Sequence, residues 1–375
     1  MSKTYRVGII GFAHMHINNV AGLFAKHPQV KFVACADTVP DVPELREAPY
    51  TRAWNMKNAL ESFGMPKAYD DYHEMLHKEQ LDIVICCSEN AKHPEVVEAC
   101  ARAEVNVCVE KPMAMSLSHA LRMVRACQAA ETTLVINWPM TWSPSARKAK
   151  ALIDEGVIGR VIEVKARLGH TGPLGTGAAH AGVSEEAASM TNAQRAATWW
   201  HQDAAGGGAT LDFCCYGAMA SRWYIGEPAV GAIGMRASLN SPWCDADDNG
   251  AILVRFPSAM ALLEGTWTTW DHGVPGGPIV YGETGTLVVE QRDGKPAVRL
   301  ERGRGTTTIY DCEPLPEGRE QVPGEFIHHL DTGEPLHPTL EMMFNLQVMA
   351  ILDAGLRSAS SGKLEPVANP VWEIG

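Results

Sequence analysis

Val105-Asn106-Val107-Cys108-Val109-Glu110-Lys111-Pro112 is an apolar run that ends in a charged pair and a proline. The run reads as a buried strand. A charged pair at its end lies at the carboxyl edge of a sheet, where open α/β sheets bind ligands. Pro112 stops the strand and fixes the backbone after the lysine. Glu-Lys-Pro alone is a common surface tripeptide, so its meaning comes from the elements around it.

Those elements alternate. Residues 6–10, 30–36, 81–87, 105–109 and 133–136 read as strands. Helical patterns cover 16–26, 51–63, 71–78, 94–103 and 116–130, the last with Ser116 as N-cap. Such βαβ alternation requires parallel strands with right-handed crossovers, hence a doubly wound α/β sheet over residues 1–137. The pattern changes at Asn137-Trp138-Pro139. Residues 138–375 carry helices at 145–155 and 340–358 and strand patterns at 161–168, 229–238, 251–256, 260–270, 286–290 and 297–301. Pro257-Ser258 and Asp293-Gly294 read as hairpin turns. The expectation is an α+β domain, with a mainly antiparallel open sheet covered by helices on one face. Residues 169–198 are rich in Gly, Ala and Thr without periodicity, and a loop that long is functional or mobile.

At 375 residues the chain is too long for one ordinary core, which agrees with two domains. A net charge of −12 with no basic run argues against nucleic acid and anionic membrane as partners. The N-terminus enters a strand without a signal-peptide layout, and no stretch is long and apolar enough to span a bilayer. The ten cysteines include no C-x-x-C pair. Cys35, Cys86, Cys87, Cys108, Cys214 and Cys215 lie in apolar runs and read as buried reduced thiols. A cytoplasmic location is the expectation.

The first βα turn reads Gly11-Phe12-Ala13-His14-Met15-His16, against G-x-G-x-x-G in a dinucleotide fingerprint. Only the first glycine is present. Ala13 still lets the backbone approach a pyrophosphate, while His16 either loosens helix–strand packing or adds a contact. Asp37 ends the second strand, where an acid hydrogen-bonds the ribose of NAD and repels the 2′-phosphate of NADP. It also reads as a turn-capping aspartate. His14 and His16 stand two apart, which does not put both on one helical face. No Cys or carboxylate cluster lies beside them in the chain, so no metal is expected.

Taken in order, Val7-Gly8-Ile9-Ile10-Gly11, Asp82-Ile83-Val84, Ser88 to His93, Val109 to Ala114, Asn137, Gly206 to Asp212 with Tyr216, and Gly226-Glu227-Pro228 resemble the Gfo/Idh/MocA oxidoreductases over nearly the whole chain. Tyr216 is closer to the glucose–fructose oxidoreductase and dihydrodiol dehydrogenase branches than to inositol dehydrogenases. Ser88-Glu89-Asn90 departs from the usual Thr-Pro-Asn. The resemblance implies a Rossmann domain that binds NAD(P), with Gly11, Phe12, Ala13, His14, Asp37, Ser88, Asn90, His93, Glu110, Lys111, Asn137 and Trp200 toward the cofactor. It implies that Lys111 contacts the substrate hydroxyl, with Asp212 and Tyr216 beside it.

Tyr216 next to an ammonium would favour the phenolate and serve with Lys111 as the acid/base pair. The expected activity is a dehydrogenase that moves a hydride between NAD, in preference to NADP, and a CH–OH carbon of a sugar, cyclic polyol or sugar derivative. A glycoside-cleaving enzyme that oxidises its substrate transiently, and a non-catalytic NAD-sensing regulator, stay open. The apolar residues at both parities of 260–270 predict an open sheet face that pairs with a second copy, giving a homodimer or homotetramer.

Overall fold

The computed structural model describes residues 3–175, 177–270, 277–303 and 305–368. The N-terminal part runs β1 (Tyr5–Ile10), α1 (Ile17–Lys26), β2 (Val30–Ala36), α2 (Arg52–Ser62), β3 (Ala68–Tyr69), α3 (Tyr72–Lys78), β4 (Ile83–Cys86), α4 (His93–Arg102), β5 (Asn106–Glu110), α5 (Leu117–Ala130) and β6 (Leu134–Asn137). Its strands pair in the order β3-β2-β1-β4-β5-β6, all parallel. That is the doubly wound order whose chain reversal lies between β1 and β4, the place where such sheets bind ligands. The alternation of apolar strands with one-sided helices dictates it. Ile9, Val84, Val107 and Ile136 are buried on a sheet covered on both faces. Ser116 caps α5 as expected, its side chain accepting from the His119 amide.

The second part carries α6 (Pro144–Asp154), β7 (Val161–Gly169), α7 (Asn192–Ala196), α8 (Ala209–Ile225), β8 (Gly231–Ala237), β9 (Asn249–Arg255), β10 (Met260–Thr266), β11 (Ile279–Gly282), β12 (Thr286–Arg292), β13 (Lys295–Glu301), β14 (Thr307–Asp311), α9 (Val322–Thr332), α10 (Met342–Ser361) and β15 (Glu365–Pro366). The sheet order is β14-β13-β12-β11-β7-β10-β9-β8-β15. Every pair is antiparallel except β7 with β10. Asp293 and Gly294 both have positive φ and form the two-residue turn between β12 and β13. Helix α8 lies on β7, β9 and β10, while α10 packs on β8 and on α5 of the first domain.

The strand expected over 260–270 stops at Thr266. Trp267 turns back into the interior, and Trp270 is 94% exposed. Thr266 is buried, so the open face is carried instead by Ile233, Met235, Leu253 and half-buried Leu262, interleaved with Glu163, Lys165 and the Arg167–Glu264 ion pair. All ten cysteines are free, eight of them buried. No helix among the described residues is long and apolar enough to cross a membrane.

Three glycines set the depth at which α8 sits. A Cβ on Gly250 would lie 2.0 Å from Thr210 Oγ1, one on Gly265 would lie 2.6 Å from the Ala209 carbonyl, and one on Gly217 would lie 2.9 Å from the Leu263 side chain. The Gly265 backbone approaches the helix backbone directly, and Gly250 and Gly217 make room for the side chains of Thr210 and Leu263. Gly250→Ala should therefore cost ~1–3 kcal/mol, the range of an overpacked core. Chemical denaturation measures it, and a midpoint equal to wild type would show that α8 has room to retreat.

Candidate active site

Lys111 leaves the carboxyl end of β5 with only 2% of its surface exposed. Its ammonium donates to Asp212 Oδ1 at 2.8 Å and to the Asp212 carbonyl at 3.1 Å. Asp212 stands in the first turn of α8, and its other oxygen accepts from Trp267 Nε1 at 3.0 Å. Burial disfavours charge on both partners, but their attraction outweighs it: Lys111 is held well above the ordinary lysine range and Asp212 below the ordinary carboxylate range. The pair is ionised at any working pH and joins the two domains at the site.

Tyr216 lies one turn along α8 from Asp212, as the i, i+4 spacing predicts. Its relation to Lys111 differs from the expected acid/base couple. The ammonium sits 4.7 Å from the ring centroid, over the face of the phenol. Burial raises the Tyr216 pKa despite that ammonium, so the group stays a phenol. Desolvation of the oxygen raises the phenol more than the ammonium, which faces the ring, lowers it. Tyr216, Met140, Leu168, Pro278 and Val289 line a cavity of about 510 Å³.

On the other side of Lys111 lies the first βα turn. Gly11 is needed for its backbone: φ is +90°, and a Cβ would stand 2.5 Å from the Ser88 amide. The Phe12 amide donates to Asp37 Oδ1 at 2.9 Å, and the His14 amide to the Cys87 carbonyl at 2.9 Å. The buried amides of Ala13 and Met15 find no acceptor among the described residues. His14 is fully buried between His16, Trp199 and Trp200. Burial and the neighbouring His16 and Lys111 push its pKa well down, so the ring is neutral. His16 does not loosen the packing. It reaches across to β5, with Nδ1 2.9 Å from Glu110 Oε1, while Asn137 Nδ2 donates to Glu110 Oε2 at 3.1 Å. The carboxylate that the chain does not place beside the two histidines is brought there by the sheet.

Asp37 caps the turn by accepting from the Phe12 and Thr38 amides, and it has a third neighbour the sequence did not announce: Arg52, 2.6 Å away at the start of α2. All three bond Oδ1, leaving Oδ2 for a ribose hydroxyl. Arg52 also pairs with Glu89. Asn90 Nδ2 donates to the Gly206 carbonyl at 2.7 Å, while its Oδ1 and the Nε1 of Trp200 are buried without a partner. Ser88 is buried against Cys86, its hydroxyl 3.4 Å from the thiol. His93 fastens two loops at the start of α4. Its ring is fully buried, with its nitrogens against the Met113 and Ser88 carbonyls, and burial lowers its pKa to about 4. The orphaned amides of the turn, Asp37 Oδ2, Asn90 Oδ1 and Trp200 Nε1 together suit a dinucleotide, which needs donors at its phosphates and acceptors at its riboses.

The irregular segment after β7 packs on this turn. Leu174 and Ala187 join Tyr50, Met15, Trp199 and Trp267 in one apolar cluster. The His180 amide donates to Tyr50 Oη, Tyr50 donates to the Glu185 carbonyl, and Trp199 Nε1 donates to the Ala13 carbonyl at 2.8 Å. Arg52, Trp267 and His180 are site residues that sequence reasoning missed. Arg52 and Trp267 were assigned only to a helix and a strand, and His180 only to the loop.

Removing one partner of a buried ion pair strands the other charge, which costs ~3–5 kcal/mol. Asp212→Leu should therefore destabilise the fold more than the double change Lys111→Met with Asp212→Leu. Urea denaturation of both proteins reads this, and a double variant less stable than the single would mean that the pair is solvated.

Residues 5–138 match the GFO_IDH_MocA oxidoreductase family with its NAD-binding Rossmann fold, and residues 146–288 match the GFO/IDH/MocA C-terminal domain. Over 192 residues the chain is 29% identical to D-xylose 1-dehydrogenase (NADP+) of Haloarcula marismortui, covering 50% of this chain and 48% of that one. Over 155 residues it is 28% identical to myo-inositol 2-dehydrogenase of Thermotoga maritima, covering 41% and 42%. The aligned stretch thus spans about half the length of these relatives. The solved structure of aldose-aldose oxidoreductase from Caulobacter crescentus superposes with a TM-score of 0.76 at 20% identity, covering 97% of this chain and 100% of that one, a likeness of fold.

Proposed function

The chain belongs to the Gfo/Idh/MocA family of oxidoreductases with an NAD-binding Rossmann domain, and we propose that it is an NAD-dependent dehydrogenase that moves a hydride between nicotinamide and a CH–OH carbon of a sugar or cyclic polyol. The observation that carries this reading is the buried ammonium of Lys111, fixed by Asp212 at the carboxyl edge of β5. A charge held there stabilises an oxygen that becomes an alkoxide, and it needs no reorganisation to do so. Tyr216, a phenol at rest, gives its proton to the alkoxide formed when the hydride reaches a carbonyl carbon and takes one back from solvent through the cavity it lines; alcohol oxidation runs the same steps in reverse, the hydroxyl proton passing to the Tyr216 oxygen. That cavity, at about 510 Å³, is of the size that holds small ligands. The family resemblance and the sugar and polyol dehydrogenases among the relatives support the substrate class.

Lys111→Met should lower kcat by ~10²-fold or more, the scale of a positioned charge or acid/base group. Tyr216→Phe should lower it on the same scale of ~10²-fold, since the group that carries the proton is lost. NADH absorbance with a panel that includes D-xylose and myo-inositol measures both. Near wild-type turnover in both variants would remove these residues from the chemistry.

Preference for NAD over NADP rests on charge. Arg52 is the cation that could welcome a 2′-phosphate, but Asp37 and Glu89 already neutralise it and leave an excess negative charge. NAD should bind at least ~10-fold more tightly, and Asp37→Ala should shift the ratio toward NADP by freeing Arg52. Fluorescence titration of both cofactors decides, and equal or tighter NADP binding by the wild type would reverse the assignment.

A further inference from the structure

His14, His16 and Glu110 offer one ligand atom each within 4.8 Å of one another, although they come from two separate elements of the sheet edge. We propose that these three side chains form a binding site for a divalent transition-metal cation beside the first βα turn. Two imidazoles and one carboxylate are the protein donor set of open metal sites, which leave positions for water or a substrate hydroxyl. Ligands at roughly 2.1 Å in a tetrahedral shell stand about 3.4 Å apart. The His16–Glu110 pair, at 2.9 Å, is already that close, and His14 joins from within 4.8 Å by a side-chain adjustment.

Three features of the surroundings support a cation here. The first is orientation. His14 Nδ1 accepts from the His16 amide at 3.2 Å, which fixes the ring and leaves Nε2 as its ligand atom. Asn137 Nδ2 holds Glu110 Oε2, and Trp142 Nε1 in turn donates to Asn137 Oδ1 at 3.3 Å. Partners of this kind fix metal ligands in place. The second is charge. Lys111 is committed to Asp212, so Glu110, 1% exposed, is left with an imidazole and an amide as its partners. A buried carboxylate so placed gains from a cation. The third is the residue type. The dinucleotide fingerprint has glycine where His16 stands, and the larger side chain reaches the end of β5. His16 keeps 28% of its side chain exposed, so the cluster has an open side.

The proposal rests on this geometry and not on the dehydrogenase reading, and its test does not use activity. The full chain, dialysed against a chelator, is titrated with Co²⁺ alone and followed by calorimetry and by ligand-field absorption. One equivalent should bind, with visible bands of a nitrogen–oxygen shell. His16→Gly restores the small residue of the ordinary turn, so it should fold, and it should weaken binding by at least ~10²-fold. Asn137→Ala should weaken it by ~10- to 100-fold by releasing Glu110. His328→Ala, at the surface pair with Glu334, should change nothing. Absence of saturable binding by the wild type, or equal affinity in a folded His16→Gly protein, would overturn the site.

Discussion

Lys111 and Asp212 meet with almost no water around them, and that contact constrains most of what lies near the site. An ammonium so deeply buried is tolerable only with a carboxylate in place, because the desolvation cost of an unpaired charge exceeds what a small domain can absorb. The first turn of α8 must therefore sit at the carboxyl end of β5, which joins the second domain to the first. The close approach of α8 to β9 and β10 through Gly250 and Gly265 sets that height from below. Trp267 completes the arrangement by occupying the second oxygen of Asp212, leaving the carboxylate little freedom to turn away.

The first βα turn shows how a dinucleotide turn can lose two of its three glycines. Gly11 is irreplaceable because the chain reverses against Ser88 with a positive φ. Beyond it the positions are filled, and the space is found by moving the filling outward. His16 crosses to β5, His14 stacks among Trp199 and Trp200, and the segment after β7 closes over both. A Cβ on Gly182 would lie 2.6 Å from the Asn19 amide, so this segment rests directly on α1. The long irregular stretch is thus held by packing and by the Tyr50 hydroxyl, and it forms a wall of the site.

The acid at the end of β2 works inside a small electrostatic unit. Burial pushes the Asp37 carboxyl up, against the pull of Arg52 and the Phe12 amide, and Glu44 beside them is pushed up to about 7 by burial. Two carboxylates share one guanidinium, which keeps the end of β2 acidic even though an arginine is present.

What the chain determined by itself is local. Apolar strands alternating with one-sided helices specify the parallel sheet, Ser116 its cap, Asp293-Gly294 its hairpin, and the spacing of Asp212 and Tyr216 their shared helix face. Each depends on residues a few positions apart, where backbone geometry converts sequence spacing into distance. Helix α9 escaped that reading because its apolar residues Val322, Phe326 and Ile327 pack on the first domain, far along the chain. Strand β14 escaped it because it is a short edge strand whose residues are mostly exposed. The partners in the site were decided by tertiary structure alone. Lys111 could have met Tyr216 at its oxygen, and it meets the ring instead. Asp37 could have stood free, and Arg52 takes it. Glu110 lies 94 residues from His16. Many acids and cations in the chain are chemically able to pair. Which of them do so follows from where the sheets place their side chains and from the cost of leaving a buried charge alone.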